Sequence, residues 1–252
     1  MMPKPLPRGT RAPLAQHLEE LRQRVIVCVL FFIAAFIACY VHSDRLLAPF
    51  AGLLSVKLVF LTPLEAFMAY MSVAFYAAAA LTVPVFAWHA WAFVLPGLLE
   101  HESRKAGRFV IGTVLFFVLG VGFCWYLVLP FAIPFLMAYG GDVMVPMISV
   151  KAYLNFCLSM LFVFGAVFEL PVIVVFLHGI GLVSLEALKN FRRYWLVAAF
   201  IIGAIVTPTP DLLNQAMASV PLIVLYEASI LYIYLFGGKK DTEKEKANET
   251  NG

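Results

Sequence analysis

The chain has 252 residues, of which 63% are hydrophobic and 13% charged, and its formal net charge at pH 7 is +3. Soluble domains carry roughly 45–50% apolar and about 25% charged residues, so this composition excludes a soluble globular enzyme, a disordered chain and a nucleic-acid-binding module. Uncharged stretches close to or beyond ~18 residues recur along the whole length, and such stretches can cross a bilayer as helices. We therefore predict an all-α membrane protein.

An amphipathic helix is predicted to lead into the first membrane span. Apolar residues recur along it at a spacing of three to four, so one face is continuous with the membrane segment. His17, Glu20 and Arg24 share another face. Glu19 can reach Arg22 one turn later. The spacing alone favours a solvated helix with local ion pairs.

Six membrane spans follow from apolar stretches that carry no charge or a single glutamate. Proline interrupts several of them, and we expect the third span to end near Pro130, with irregular chain after it. The fifth span is short, because only 13 uncharged residues precede the sequence Thr-Pro-Thr-Pro. The predicted spans are residues 25–41, 66–95, 109–141, 152–177, 194–206 and 212–236.

Lysine and arginine residues set the orientation of these spans. Of the 18 basic residues, fifteen lie before the first span, in the second and fourth loops or after the last span, and three lie in the remaining loops. Cytoplasmic loops carry the excess of such residues in membrane proteins, so both termini are predicted to be cytoplasmic. The polar ends, residues 1–12 and 237–252, are predicted to be flexible cytoplasmic segments.

The second loop combines acidic and basic side chains. Glu100, His101 and Glu102 are followed by Arg104 and Lys105. One interpretation is a loop whose carboxylates offset its own cations. The other is an acidic pocket for a cationic partner, because carboxylates accept paired hydrogen bonds from guanidinium groups. The chemistry of the loop alone favours the first interpretation.

Carboxylates also occur within or beside the spans. Thr62 and Glu65 fit a capping box around Pro63 at the start of the second span. Glu169 lies deep in the fourth span, where an ionisable residue is functional by default; the alternative is a protonated glutamic acid that only ties helices together. Glu227 lies near the middle of the sixth span, where the neighbouring tyrosine and serine side chains could satisfy it locally.

The sequence predicts neither a metal ion nor a bound cofactor. The four cysteines all fall inside uncharged stretches and show no metal-ligand or disulfide spacing. A P-loop, a G-x-S-x-G pattern and an H-E-x-x-H pattern are all missing from the sequence.

Seven segments, taken together and in order, resemble the TatC family of the twin-arginine translocase. The resemblance covers about residues 13–236, which we predict to form one six-span membrane domain. The matching segments are HLEELR (17–22), LTPLEAF (61–67), FVLPGLLEHESRKAG (93–107), WYLVLP (125–130), FGAVFELPV (164–172), FRRYWLVAAFIIGAIVTPTPDLLNQ (191–215) and PLIVLYEASI (221–230).

The resemblance implies a core receptor component of a protein-export system rather than an enzyme. In this family, six transmembrane helices form a cup-shaped bundle in the bacterial cytoplasmic (inner) membrane, and the protein binds twin-arginine signal peptides of folded precursor proteins. Transport is driven by the protonmotive force. The implied partners are TatA- and TatB-type single-span proteins, further copies of the receptor and membrane lipid, without nucleic acid.

The resemblance also assigns roles to individual residues. The arginine pair of the signal peptide is expected to meet Glu102 and Glu20 at the cytoplasmic face. Arg22 and Phe93 belong to the same docking site. Glu169 corresponds to an intramembrane glutamate in a concave groove of the bundle.

The fifth and sixth spans correspond to the docking face for the single-span partner proteins, and Thr207 and Gln215 belong to it. The short fifth span should suit a partner helix better than bulk lipid. We expect Gln215 to offer uncompensated hydrogen-bonding groups near that edge. An alternative is that Gln215 only caps the turn formed by Thr-Pro-Thr-Pro.

Two other classes of membrane protein are alternatives. A proton-coupled small-solute transporter would suit Glu169 and the proline-interrupted spans, but such folds commonly show duplicated halves, and no internal repeat is present. An intramembrane enzyme would need catalytic side chains at matching depth in several spans, and no such set of His, Asp and Ser residues occurs.

Overall fold

The computed structural model describes residues 14–54, 56–94, 106–138, 140, 145–206 and 212–236. In these ranges the regular structure is helical, apart from one isolated bridge between Val59 and Ser149. This confirms the predicted all-α fold class. The helices are α1 (Leu14–Val41), α2 (Ser43–Ala51), α3 (Pro63–Val94), α4 (Ala106–Phe123), α5 (Leu129–Ala138), α6 (Val150–Val167), α7 (Leu170–Gly179), α8 (Leu185–Val206) and α9 (Leu212–Phe236), with a π-helical turn, Cys124–Val128, between α4 and α5.

Five helical segments of the described chain are long and apolar enough to cross a membrane. Helix α8 is not among them, because its first half carries four charged residues before the uncharged stretch 194–206. Lipid offers no hydrogen-bonding partners to the backbone, so a chain of this composition is stable there only with its backbone bonds closed inside helices. The five segments are His17–Val41, Pro63–Phe93, Phe109–Ala138, Val150–Gly179 and Gln215–Phe236.

The chain divides into two compact units, Met1–Gly165 and Ala166–Gly252. In the first unit α1 packs along α3, where Ala74 and Ala78 are fully buried beside Cys39. Helices in lipid associate through close van der Waals packing, which small side chains of this kind allow. Large apolar side chains cover the exposed face of α1.

The prediction that the third span ends near Pro130 is wrong. The helix continues as α5 through Pro130 and Pro134. In the π-helical turn just before them, the Leu129 N–H donates to the Cys124 carbonyl, five residues back. Proline has no N–H to donate. A local change from α-helical to π-helical hydrogen bonding shifts the backbone register just before Pro130, the first of the two prolines.

Glu65 has more partners than the predicted capping box provides. Its Oε2 accepts a hydrogen bond from the Leu61 N–H at 2.7 Å, one residue before the expected N-cap, Thr62. Its Oε1 accepts from the Ser149 hydroxyl and from the Lys151 N–H, the latter at 3.4 Å. The buried carboxylate therefore joins the start of α3 to the start of α6.

In the second unit α8 and α9 run antiparallel, because contacts pair the start of one helix with the end of the other. The Tyr226 hydroxyl donates to the Leu188 carbonyl at 2.8 Å, and the Trp195 indole N–H donates to the Leu222 carbonyl at 3.3 Å. The rings of Trp195 and Tyr226 stack with their centroids 5.0 Å apart. Each aromatic side chain thus contributes both packing and a hydrogen bond to the helix pair.

The two helices also approach closely at Gly203 of α8. A Cβ atom at this position would lie 2.3 Å from the Ser219 hydroxyl and 3.0 Å from the Gln215 carbonyl oxygen. Ala199, one turn earlier on α8, is fully buried as well. Small residues on α8 therefore set the distance between these helices.

We predict that Gly203→Ala lowers the thermal unfolding temperature of the protein in detergent micelles. The added methyl group overlaps the Ser219 hydroxyl, and overpacking of this kind costs about 1–3 kcal/mol. Ser219→Ala in the same chain should recover part of the loss, because it removes the hydroxyl oxygen but leaves the Gln215 carbonyl. Gly122→Ala is the matched control, since a Cβ there meets no atom within 4 Å. Equal losses at both glycines would contradict the prediction.

Candidate functional site

A cluster of side chains lies where the start of α1 packs against the end of α3. It consists of His17, Glu20 and Arg24 on α1 and of His89 and Phe93 on α3, and we name it the Glu20 cluster. The three residues of α1 stand about one turn apart, so a single face of the helix presents all of them, as their spacing predicts.

Glu20 and Arg24 form the centre of the cluster. The Nε and the Nη2 of Arg24 both donate to one carboxylate oxygen, the Oε1 of Glu20, with the Nε bond at 3.1 Å. The third guanidinium nitrogen, Nη1, donates to the His89 backbone carbonyl at 3.3 Å. The other carboxylate oxygen, Oε2, has no hydrogen bond to any described residue, and the Nδ1 of His17 lies 3.9 Å from it.

The central pair is deeply buried. The exposed fraction is 7% for Glu20 and 9% for Arg24. Removing one partner of a buried ion pair costs about 3–5 kcal/mol, because the other charge is left uncompensated. The two side chains therefore depend on each other, and the hydrogen bond from Arg24 to the His89 carbonyl links α1 to α3.

Phe93 joins the cluster through an aromatic contact. Its ring stacks on the imidazole of His17, with centroids 4.2 Å apart and planes inclined by 13°. The same imidazole faces the open oxygen of Glu20. The structure thus brings Glu20 and Phe93, which the sequence resemblance places in one docking site, to the same histidine. Spacing could not have found this contact, because the two aromatic rings belong to different helices.

Arg22 lies outside the cluster. Its guanidinium pairs with Glu19 one turn earlier, and both side chains are exposed, which confirms the ion pair predicted from their spacing. Of the four predicted docking residues, the structure brings together Glu20 and Phe93 but does not place Arg22 with them. Glu102 lies outside the described residues.

Glu169 lies at the junction of α6 and α7. It is the N-cap residue of α7, and Pro171 occupies the second position of that helix. Its backbone N–H donates to the Ala166 carbonyl at 3.2 Å, and its carbonyl accepts from the Ile173 N–H at 3.0 Å. The half-buried residue falls inside the apolar segment Val150–Gly179.

Gln215, predicted to offer uncompensated hydrogen-bonding groups, is bonded inside the second unit instead. Its amide nitrogen donates to the Phe200 carbonyl of α8 at 3.0 Å. The prediction is therefore wrong for the amide nitrogen, and so is the alternative that the side chain only caps the Thr-Pro-Thr-Pro turn. The reason is the close approach of α8 and α9, which brings a backbone carbonyl within reach. Thr207 lies outside the described residues.

Glu227 is paired across the same two helices. Its Oε2 lies 2.7 Å from the Nη2 of Arg192, and both side chains are about half exposed. The hydroxyls of Tyr226 and Ser229 donate to backbone carbonyls and not to this carboxylate. The expectation that these two neighbours satisfy Glu227 is therefore wrong. Helix α8 instead places the guanidinium of Arg192 within bonding distance of the carboxylate.

The outer faces of α8 and α9 carry large apolar side chains that are each more than half exposed. Such a surface suits lipid or the apolar helix of a partner. The exposed residues are Leu196, Val197, Ile201 and Ile205 on α8 and Val220, Val224 and Leu231 on α9.

A cavity of about 590 Å³ lies near the start of α3, next to α2 and to the chain that links the two helices. Its lining is apolar except for Lys57 and the hydroxyl of Tyr70. About five helical turns, or roughly 28 Å, separate Tyr70 from His89 along α3. The cavity is therefore not part of the Glu20 cluster.

The Glu20 cluster offers a carboxylate oxygen, an imidazole and an aromatic face. A cation that carries several N–H donors fits this set of groups. In the part of the chain that the structure describes, no group of three or more His, Cys, Asp or Glu side chains could hold a metal ion. The four cysteines are free thiols.

Comparison with known proteins gives consistent matches. The family model described as TatC, Sec-independent protein translocase protein, matches residues 16–221. The chain is 36% identical over 247 residues to the Sec-independent protein translocase protein TatC of Desulforapulum autotrophicum, which covers 96% of this chain and 91% of that protein. It is 38% identical over 221 residues to the TatC protein of Carboxydothermus hydrogenoformans, covering 86% of this chain and 90% of that one.

Solved structures are similar to the chain as well. A crystal structure described as the twin-arginine translocase receptor TatC has a TM-score of 0.75 and 31% sequence identity, and the match covers 87% of this chain and 98% of that chain. A second crystal structure of that receptor, in DDM, has a TM-score of 0.75 and 33% identity, covering 85% and 98%.

Proposed function

We propose, for a chain that belongs to the TatC family of Sec-independent protein translocase proteins, that the Glu20 cluster binds the arginine pair of twin-arginine signal peptides on folded precursor proteins. As a member of this family, the chain is a translocase receptor component and not an enzyme. The observation that supports the docking proposal best is the buried carboxylate of Glu20, whose Oε2 has no hydrogen bond to a described residue.

The geometry suits a guanidinium ligand for two reasons. A carboxylate offers about four lone-pair positions, and Arg24 uses only those on Oε1 of Glu20, so Oε2 can accept N–H groups from a peptide arginine. The stacked rings of His17 and Phe93 add a flat face on which a guanidinium plane packs. A lysine ammonium has neither the planar fork nor the stacking face, so arginine is preferred over lysine.

Glu102 is proposed as the second carboxylate of this docking site. It follows α3 in the chain, and the Glu20 cluster lies at the end of α3, so both carboxylates belong to the same side of the membrane. Two peptide arginines then find two carboxylates. Arg22, exposed on an adjacent face of α1, is proposed to contact the rest of the peptide.

We predict that Glu20→Gln and Glu102→Gln each weaken the binding of a twin-arginine signal peptide about tenfold or more. Each change removes a charge-assisted pairing worth roughly 1.5–3 kcal/mol. Glutamine is preferred to alanine at Glu20, because its amide oxygen still accepts hydrogen bonds from the buried Arg24, whereas alanine offers no acceptor. Affinity and crosslinking are measured on the full chain in detergent, with a twin-lysine peptide for comparison.

The control for this prediction is Glu100→Gln, which changes a carboxylate of the same loop outside the position that the family motif assigns. Its affinity for the peptide should stay within about twofold of that of the unmodified chain. Unchanged crosslinking in the Glu20/Glu102 double variant would contradict the assignment of both residues.

We further propose six membrane spans, with α8 as the span that joins the five apolar segments. The uncharged stretch 194–206 is about 20 Å long at 1.5 Å per residue, against a hydrocarbon core of ~30 Å, so the bilayer thins at this edge. Arg192, whose guanidinium pairs with Glu227 of α9, lies just before this stretch. The uneven distribution of basic residues supports cytoplasmic termini, in a bacterial cytoplasmic (inner) membrane.

We predict that alkaline phosphatase fused after Gly141 is active, because that position lies outside the cytoplasm in a six-span topology. Fusions after Gly107 and after Gly238 should be inactive, since both positions are cytoplasmic. Enzyme activity is measured in whole cells, with the amount of each fusion protein checked by immunoblot. An active fusion after Gly107 would overturn the topology.

The outer face of α8 and α9, with Thr207 and Gln215, is the proposed docking face for TatA- and TatB-type single-span proteins. The exposed apolar side chains of both helices and the short span support this proposal. Because the amide of Gln215 is bonded to the Phe200 carbonyl, this residue supports docking by holding α8 and α9 in register.

We predict that single cysteines at Ile201 and Val224 crosslink to a partner helix more strongly than single cysteines at Ile111 and Val118 of α4. All four positions are apolar and more than half exposed, so exposure alone would give equal yields. The measurement uses a chain in which the native cysteines are replaced. Gln215→Leu should lower the crosslinks at Ile201 and Val224 several-fold and leave signal-peptide affinity unchanged.

Equal crosslinking at all four positions would place the partner face elsewhere. Joint loss of partner crosslinks and of peptide affinity in Gln215→Leu would show that the substitution damages the fold. Thermal unfolding of each variant separates these two cases.

Transport is proposed to be driven by the protonmotive force in a receptor complex that contains further copies of the chain. Glu169, at the break between α6 and α7 inside an apolar segment, is the proposed intramembrane polar site. Ionisable residues at such positions face protein or water and mark functional sites in membrane proteins.

A further inference from the structure

Arg24 decides how the Glu20 carboxylate is presented to a ligand. Its Nε and Nη2 both donate to Oε1, and neither donates to Oε2. A guanidinium that saturates a carboxylate uses two parallel bonds, one to each oxygen. The pairing here engages a single oxygen, so the second oxygen stays available.

A third contact of Arg24 accounts for this geometry. Its Nη1 donates to the His89 backbone carbonyl at 3.3 Å, so the guanidinium is anchored on α3 as well as on Glu20. Bonded in this way to α3 and to Oε1, the guanidinium makes no hydrogen bond to Oε2, a buried atom without a partner among the described residues. A peptide arginine that enters the cluster can therefore pair with Oε2 while Arg24 stays on Oε1.

Burial makes Glu20 dependent on Arg24. Carboxylates as deeply buried as this one are almost never found without a partner. The other titratable groups near it are the imidazole of His17 on α1, with its Nδ1 at 3.9 Å, and the imidazole of His89 on α3. Without Arg24 the carboxylate would lose the two hydrogen bonds to Oε1 that hold its orientation.

We propose that Arg24 is a positioning residue of the signal-peptide site: it holds the Glu20 carboxylate through Oε1 alone and leaves Oε2 unpaired for an arginine of the peptide. This inference rests on the proposed function, because it concerns the same ligand. In the bound state, the Glu20 carboxylate lies between two guanidinium groups, one resident and one from the peptide. Arg24 thus cooperates with the ligand and does not compete with it.

The test measures binding of synthetic twin-arginine and twin-lysine peptides to the full chain in detergent. Arg24→Gln should weaken binding of the twin-arginine peptide about tenfold or more, and Arg24→Lys should recover part of that loss because it keeps a cation. The double variant of Glu20→Gln and Arg24→Gln should bind no more weakly than Glu20→Gln alone, since Arg24 acts through that carboxylate. Gln23→Ala is the matched control, because Gln23 is exposed on the same helical turn.

The ratio of twin-arginine to twin-lysine peptide affinity gives a readout that protein stability does not set. Arg24→Gln should lower this ratio towards that of Glu20→Gln. A merely structural role for Arg24 would lower the thermal unfolding temperature and leave the ratio unchanged, and that result would overturn the inference.

The binding outcomes separate this inference from the proposed function. If the unmodified chain does not prefer the twin-arginine peptide, the proposed function fails, and the inference fails with it. If that preference holds but Arg24→Gln binds the twin-arginine peptide as tightly as the unmodified chain or more tightly, only the inference fails. The same holds if the losses of affinity in Glu20→Gln and Arg24→Gln add up in the double variant. If Arg24→Gln does not fold, Arg24→Lys is compared with Gln23→Ala instead. Weaker peptide binding by Arg24→Lys at an equal unfolding temperature supports the inference, and equal binding overturns it.

Discussion

A bilayer offers no hydrogen bonds, and this constraint decides where the polar side chains of the protein lie. Arg24, Glu65 and Gln215 each bond to a backbone group of another segment. Apolar side chains are solvated by lipid nearly as well as by protein, so they contribute little to the choice of partner helix. Polar side chains therefore fix which segments meet. The candidate docking site is one such junction. It differs from the other two because one carboxylate oxygen, the Oε2 of Glu20, has no hydrogen bond to a described residue.

Spacing along a single helix predicts the local part of this arrangement. The shared face of His17, Glu20 and Arg24 and the pairing of Glu19 with Arg22 both follow from 3.6 residues per turn. The apolar segments follow in the same way from the length of uncharged chain that a bilayer requires. These features depend on one segment at a time, and the sequence alone contains all that is needed to predict them.

Contacts between distant segments do not follow from spacing. Glu65 bonds to residues beyond α5, and Glu227 pairs with Arg192 of α8. Only the packed helices show which partner each carboxylate meets. The π-helical turn before Pro130 is a local feature that spacing also missed, and it keeps intact a helix that the proline should end. The family resemblance did place Glu20 and Phe93 together, because a family pattern carries information on three-dimensional neighbours that the spacing lacks.

The partners of Glu65 are synthesised at very different times. The Leu61 N–H is four residues away and is available as soon as the helix begins, whereas Ser149 and Lys151 are made 84 and 86 residues later. At about 5–20 residues per second, the carboxylate remains without them for roughly 4–17 s. During that interval α3, α4 and α5 are synthesised while the carboxylate of Glu65 lacks its two partners near the start of α6. The junction between the starts of α3 and α6 is therefore a late event in the biogenesis of the protein.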